Sequence, residues 1–373
     1  MQLSISVSDF YRSLEIVEKA LPTRSTISFL NNIYLELSGT QLSFYATNLE
    51  MEIKTALTLA PDHEKMDSFA ILLPQKIIEV LRYFPTNDAF LVFDPQSYRI
   101  TVSGGSAEFS LFGADPHDYP ERKIDSDGED LKFQIKQAEL KKYLKMVLFS
   151  ASTDETRPAF NGILFEFKGN KITLTASDTY RLAVKEIIKE EWNFKEAKCL
   201  VPARSLREFL KILGDDEQMI TVVPGGNKIS FDTGLVYLSA RLLQEKFPDV
   251  SSIIPQAFQS RIKIDKKLLE DTISRAALLA EGKNQAVQLA FQDNALIARV
   301  TSQQGKMEEK LPAQIDGENL ELFVNTKFVL DLLKVTEDLS MSIDLHGHEG
   351  PLIFMPSGEK GYLYLVLPIK KVN

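Results

Sequence analysis

Positions 177–181 of the stretch KITLTASDTYRLAVKE bring together Ser177, Asp178, Thr179, Tyr180 and Arg181. A hydroxyl, a carboxylate, a phenol and a guanidinium at this spacing could form an activated nucleophile, or a polar wall that grips a ligand. The first reading needs a base, a metal or a cofactor motif, and the sequence supplies none. His63, His117, His346 and His348 all lie in polar or loop-like stretches, and HGHEG lacks the cysteine or carboxylate–histidine spacing of a zinc site. There is no P-loop, no GxGxxG after a strand and no GxSxG elbow. Tyr180 and Lys185 are too poorly spaced for a Tyr–Lys dehydrogenase pair. Glu190–Glu191, Glu308–Glu309 and Asp215–Asp216 are adjacent, surface-like carboxylates rather than a two-metal set. The single cysteine, Cys199, sits in the apolar run KCLVP and reads as a small core residue; it excludes an internal disulfide. No cofactor or metal is expected.

The elements that must position the cluster come from a threefold repeat. LNNIYLELSGTQLSFYATNLEMEIK begins at Leu30, FNGILFEFKGNKITLTASDTYRLAVK at Phe160 and AVQLAFQDNALIARVTSQQGKMEEK at Ala286. Ile33, Ile163 and Val287 correspond, as do Leu37, Phe167 and Phe291, then Leu42, Ile172 and Leu296. Each copy reads as a strand, a Gly- or Asn-bearing hairpin turn and a second alternating strand. A strand and an amphipathic helix precede each hairpin; in QAELKKYLKMVLFS the apolar face is Leu140, Tyr143, Leu144, Val147 and Leu148. A second strand–helix pair follows each hairpin (ILLPQKIIEVLRYF, CLVPARSLREFLKIL, LFVNTKFVLDLLK), then short hairpins at GGSAEF, VPGGNK and SGEKG. The expected fold class is α+β: three tandem similar domains over 1–125, 126–254 and 255–373, each with two helices packed on antiparallel sheets.

The chain has 373 residues, 44% hydrophobic and 25% charged, enough for a core in every domain. No apolar run reaches membrane-spanning length and MQLSISVSDF lacks a signal-peptide opening, which points to the cytoplasm. Net charge is −9, yet the six expected helices (8–24, 74–84, 136–148, 202–213, 265–279, 325–334) together carry +7, leaving −16 elsewhere. Lys141, Lys142 and Lys145 lie opposite one helix's apolar face, as do Arg204, Arg207 and Lys211 opposite another's. Arg82, Lys211 and Lys334 each follow an equivalent apolar pair. Solvated helix faces would explain any one of these; their recurrence suits a surface that attracts phosphates without reading bases.

FNGILFEF, TASDTYRLAV, EKFPDV and the terminal YLYLVLPIK, set in three α+β repeats, resemble the bacterial DNA polymerase III beta subunit, the sliding-clamp family, over the whole chain. The resemblance implies the DNA clamp fold and a head-to-tail dimeric ring, helices lining the hole, that slides on duplex DNA without sequence preference. It implies a non-catalytic processivity factor that tethers the replicative polymerase, clamp loader and repair proteins. Arg24 and Arg204 match the family's DNA-contacting positions; Arg82, Lys142 and Lys211 join them from the helix-wheel argument. The family's dimer seam maps to Phe109 and Leu111 on an edge strand and to Leu278 and Leu279 on a helix, although two adjacent leucines cannot share one helix face and internal core is the alternative. Its peptide pocket, between the second and third domains, maps to Phe160, Ser177, Thr179, Tyr180, Arg181, Leu182, Pro248, Ile253, Pro351, Leu365, Leu367 and Ile369. There Arg181 and Ser177 would act as polar clamps, Tyr180 as a gate and Leu182 as floor, with Asp178 ordering the turn. Leu365, Leu367 and Ile369 would share one strand face, or be plain core. Thr179 and Tyr180 replace the family's frequent Gly or Ser followed by His, Ser252 replaces a position that can be basic, and three residues follow Lys370; these departures bear on peptide preference.

Three readings stand at this point: a processivity ring, an enzyme using the 177–181 cluster on a small molecule, and a scaffold that does not bind DNA. The first and third copies replace the cluster with ATNLEMEI and VTSQQGKM, which one specialised copy would explain in either case.

Overall fold

The computed structural model describes residues 2–59, 66–120, 131–282 and 284–370. His63, the expected boundary at 125/126 and the three residues after Lys370 lie outside the described residues. The chain forms two compact units, one from 1–138 and 208–242, the other from 139–207 and 243–373.

The first unit holds α1 (Val7–Glu18) and α2 (Lys76–Arg82). The second holds most of α3 (Gln137–Leu148), α5 (Lys266–Leu279) and α6 (Thr326–Val335), and the chain crosses back to the first within α4 (Ala203–Ile212). Helix α1 is shorter than its periodicity suggests, because Leu21-Pro22 removes a backbone donor just beyond its end. Arg24 therefore stands in a loop. Counted on these bounds, the six helices carry +5 and the rest of the sequence −14, so the charge segregation persists.

An eight-stranded antiparallel sheet runs through the first unit, in the order Met66–Pro74, Asn32–Gly39, Gln41–Thr47, Met51–Thr58, Val236–Arg241, Lys228–Asp232, Met219–Gly225 and Phe133–Lys136. A four-stranded sheet accompanies it: Gln2–Ser6, Asp88–Asp94, Arg99–Gly104 and Ala107–Phe112. The second unit repeats the plan with nine strands. Phe194–Pro202, Gly162–Gly169, Lys171–Ser177 and Arg181–Ile188 continue into Tyr362–Val366, Leu352–Pro356, Ser340–Leu345, Ser260–Asp265 and Gln314–Gly317. Its smaller sheet is Lys306–Pro312, Ala295–Thr301, Ala286–Gln292 and Leu320–Asn325.

The repeat positions meet as the alternation requires. Leu37 pairs with Leu42, Phe167 with Ile172 and Phe291 with Leu296, and all six side chains are buried. The hairpin turns between them use left-handed backbone at Gly39 (φ 61°), Gly169 (φ 58°) and, in the third copy, at Asp293 and Asn294 (both φ 52°). Each large sheet crosses from one repeat to the next through one rung set: Ile53 against Leu238 in the first unit, Leu182 against Leu365 in the second. The third copy adds Gln314–Gly317, which pairs with Ser260–Asp265.

Candidate functional site

The 177–181 cluster is a tight turn joining two neighbouring strands, and its own groups satisfy one another. The Ser177 hydroxyl donates to Arg181 O (2.7 Å) and accepts the Thr179 N–H (3.1 Å). Asp178 Oδ1 accepts the N–H groups of Tyr180 and Arg181 at 3.0 and 3.1 Å, so Asp178 orders the turn. Thr179 takes φ 79°, a left-handed conformation that costs a non-glycine residue about 1 kcal/mol. The first copy builds the same turn. Thr47 Oγ1 donates to Met51 O and accepts the Leu49 N–H, Asn48 Oδ1 accepts from Glu50 and Met51, and Leu49 has φ 72°. In the third copy Ser302 N–H donates to Gly305 O and Ser302 Oγ accepts the Gln304 N–H. An arrangement built in two copies with different side chains, and echoed in part by the third, is a turn device, not a set of reacting groups.

Arg181 and Leu182, neighbours in sequence, leave the strand on opposite faces. Arg181 is 8% exposed. Its Nε donates to Asp178 Oδ2 (2.8 Å), its Nη1 to Asp331 Oδ2 on α6 (2.7 Å), and its guanidinium lies 4.5 Å from the Phe328 ring centre. Burial works against this charge, but Tyr364, Asp331 and Asp178 outweigh it and hold the guanidinium above its ordinary value. Arg181 borders a groove of about 530 Å³ whose rim includes Phe149, Arg157, Tyr180 and Arg207. Arg157 donates to Thr179 Oγ1 at 3.1 Å, and burial pushes the Arg207 guanidinium down.

On the other face Leu182, Leu365 and Ile353 form one row across three strands, with Val184, Val250, Ile254, Met355 and Leu363 packed against it. Exposed apolar side chains flank these positions along the chain: Tyr180 (60%), which also borders the Arg181 groove, Ile253 (52%) and Leu367 (42%). The Leu367 N–H donates to Tyr180 O at 3.0 Å, which ties the C-terminal segment to the turn. Half-buried Phe160 packs edge-on against Phe247, next to exposed Pro248, with ring centres 5.6 Å apart. Pro351 lies one register step beyond the Leu352–Val366 pair. The terminal strand ends at Val366, so Leu365, Leu367 and Ile369 do not share one strand face. Leu365 is core, Leu367 is exposed, and the half-buried Ile369 donates its N–H to Phe323 O. Ile353 was not distinguishable from other core residues by sequence; only the cross-strand register joins it to Leu182.

Arg24, Arg82, Lys142, Arg204 and Lys211 are all exposed. Arg82 Nε donates to Tyr11 Oη (2.9 Å), Lys211 pairs with Glu208, and Lys142 pairs with Glu359. Lys142 thus belongs to a local cluster with Lys185, which is 4% exposed and donates to Lys360 O at 2.7 Å. Phe109 is 40% exposed on the edge strand Ala107–Phe112, while Leu111 on the same strand is half-buried. Leu278 is 79% exposed on α5, whose buried face is Leu269, Thr272, Ile273 and Ala276; Leu279 is half-buried. Leu278 is therefore not internal core of this chain. Half-buried Cys199 has its thiol pushed up to about 12 by burial, away from nucleophile chemistry. Among the described residues no three His, Cys, Asp or Glu side chains gather as a metal site, and no helix is long and apolar enough to cross a membrane.

Residues 1–124, 134–249 and 251–370 match, in order, the family models of the DNA polymerase III beta subunit N-terminal, central and C-terminal domains. The chain belongs to the DNA polymerase III beta subunit family. The beta sliding clamp of Halalkalibacterium halodurans is 28% identical over 381 residues, 99% of this chain and 100% of that one. That of Staphylococcus aureus is 27% identical over 378 residues, 99% of each. Among solved structures, the Bacillus subtilis DNA polymerase sliding clamp aligns with TM-score 0.92 at 27% identity, covering 100% of this chain and 99% of that one. The beta subunit from Thermotoga maritima aligns with TM-score 0.90 at 25% identity over the whole of both. Membership in the DNA polymerase III beta subunit family makes the chain a non-catalytic processivity subunit of DNA replication, with a sliding-clamp role.

Proposed function

We propose that two copies of this chain close head to tail into a cytoplasmic ring around duplex DNA, with domains at 1–125, 126–254 and 255–373, and that the site around Leu182 and Leu365 docks peptides of the polymerase, the clamp loader and other partners. The observation that carries the ring is the order of strand pairing. The third hairpin strand of repeat one, Met51–Thr58, pairs with the last strand of repeat two, Val236–Arg241. The third hairpin strand of repeat two, Arg181–Ile188, pairs with the last strand of repeat three, Tyr362–Val366. Continuing the series, the third hairpin strand of repeat three, Lys306–Pro312, calls for the last strand of repeat one, Ala107–Phe112. Both are sheet edges among the described residues. A second copy supplies each with its counterpart and removes the exposed edges. Phe109 and Leu111 lie on the first of these edges, and Leu278 and Leu279 on α5 would face it.

Encirclement needs no tight contacts, so weak phosphate attraction by Arg24, Arg204, Arg82 and Lys211 suffices for sequence-blind retention. Lys142 and Lys211 contribute less, since Glu359 and Glu208 already hold them. At the peptide site, an apolar floor with exposed rim residues and a few polar groups fits an extended segment with hydrophobic anchors. Ser177 and Arg181 support that site through the turn, since their polar atoms are engaged within it and, for Arg181, with Asp331 on α6.

The ring is tested by retention on nicked circular DNA before and after linearisation, alongside solution mass. A dimer that stays on circles and leaves linear ends is expected, and Phe109→Asp should give monomers without retention. Equal retention on both forms of DNA, or a monomeric wild type, overturns the proposal.

A further inference from the structure

The three hairpin turns carry one position in identical register. Leu182 faces Ser177 across its hairpin, Glu52 faces Thr47, and Lys306 faces Thr301. In the second unit the row continues Leu182–Leu365–Ile353. In the first unit the same row reads Glu52–Ser239–Ser230. The turn hydrogen bonds, the left-handed residue (Leu49 against Thr179) and an exposed apolar side chain, Leu49 at 55%, recur at the first seam. The next row on the same face reads Lys54–Tyr237 there and Val184–Leu363 at the second, so the polar character extends along the first seam. We infer that this row decides which inter-repeat seam docks a peptide, and that Glu52, Ser239 and Ser230 close the first seam to the ligands the second accepts. The inference rests on the docking reading proposed above.

The chemistry at the first seam supports exclusion. Glu52 Oε2 accepts the Tyr45 hydroxyl at 2.9 Å, while Oε1 is buried with no hydrogen-bond partner among the described residues. Lys228 Nζ lies 3.6 Å from Oε1, an ion pair without a hydrogen bond. The hollow there, bordered by Thr47, Leu49, Glu50, Ser239 and Arg241, has a volume of about 30 Å³, enough for a single water. An apolar anchor seated on this row would strip the remaining water from a carboxylate whose Oε1 keeps only the Lys228 charge at 3.6 Å and no hydrogen bond. On the Leu182 row the same anchor meets only methyl and methylene groups. Repetition thus produced two candidate grooves, and one polar row leaves a single usable one.

The test is amide hydrogen exchange of the full chain with a saturating pentapeptide of the QLxLF type, Gln-Leu-Ser-Leu-Phe, combined with calorimetric stoichiometry. One peptide per protomer is expected, with protection at 177–183 and 363–369 and none at 47–53 and 237–241. Protection at both seams, or two peptides per protomer, overturns the inference while leaving docking intact. Protection at neither overturns the docking reading and the inference with it. The variant Glu52→Leu/Ser239→Leu/Ser230→Ile should bind a second peptide and gain protection at 47–53. A folded variant that still binds one shows that the row is not the determinant. If that variant does not fold, Leu365→Ser, which places the first seam's residue at the matching position of the second, decides. Peptide affinity should fall about tenfold or more, and unchanged affinity in the folded variant overturns the inference.

Discussion

Arg181 Nη1 donates to Asp331 Oδ2 at 2.7 Å, joining a strand of the second repeat to helix α6 of the third. The two residues are 150 positions apart, and both side chains are largely buried, at 8% and 21% exposure. With Asp178 on its Nε and Phe328 and Phe149 against its plane, Arg181 is a structural rivet beneath the turn that carries Tyr180.

Arg181→Ala should therefore act first on stability. It leaves Asp331 and Asp178 without their shared cation in a partly dry site, a loss of about 3 kcal/mol. Urea unfolding followed by hydrogen exchange at 177–188 and 326–335 measures it. A loss below about 1 kcal/mol would place Arg181 among weak surface pairs.

The Lys142–Glu359–Lys185 cluster sets a pH dependence. Burial works to raise the Glu359 carboxyl, but the hydrogen bond from Lys142 and the charges of Lys185 and Lys142 outweigh it and hold it below the ordinary range. A depressed carboxylate contributes stability above its unfolded value and loses it as pH falls through the folded one. Burial pushes the Lys185 ammonium down despite Glu359, so on that account stability rises as pH climbs toward the ordinary lysine value. Thermal midpoints from pH 3 to 10 should show both limbs. Glu359→Gln is expected to flatten the acid limb and Lys185→Met the alkaline rise, and unchanged limbs in both variants would contradict this assignment.

Tyr180→Ala and Leu367→Ala remove exposed rim side chains that carry little folding energy. Each should weaken a QLxLF-type peptide about tenfold, roughly 1.4 kcal/mol, while leaving the thermal midpoint near wild type. Leu182→Ala should instead cost about 3 kcal/mol of stability, as a buried leucine replaced by a cavity does. Calorimetry and melting separate the two classes, and peptide affinity indifferent to both rim changes would move the docking site elsewhere.

The threefold repeat, its strand and helix order, and its buried partners such as Leu37 and Leu42 were all legible in the sequence, because period-2 and period-3.6 patterns are local consequences of which face meets water. The expected helix over 8–24 overshoots α1 by six residues at its C-terminal end, since the apolar spacing continues to Leu21 although the helix ends at Glu18, ahead of Pro22. Within the candidate site, Tyr180, Leu182 and Leu365 could be named by motif. Asp331, Phe328 and Ile353 could not, as nothing local marks a residue whose partner lies far along the chain.

What the sequence determined by itself is the kind of protein: three α+β copies, no catalytic engine, and basic charge gathered on helices. What only the tertiary structure decided is the meaning of the 177–181 cluster. Adjacent residues on a strand point to opposite faces, so Arg181 and Leu182 belong to different environments although they touch in sequence. Cross-strand register, set by pairing between repeats, then placed leucines on one seam and a glutamate with serines on the other. Such pairing joins residues far apart in the chain, as Leu182 with Leu365 and Glu52 with Ser239, which no local pattern encodes.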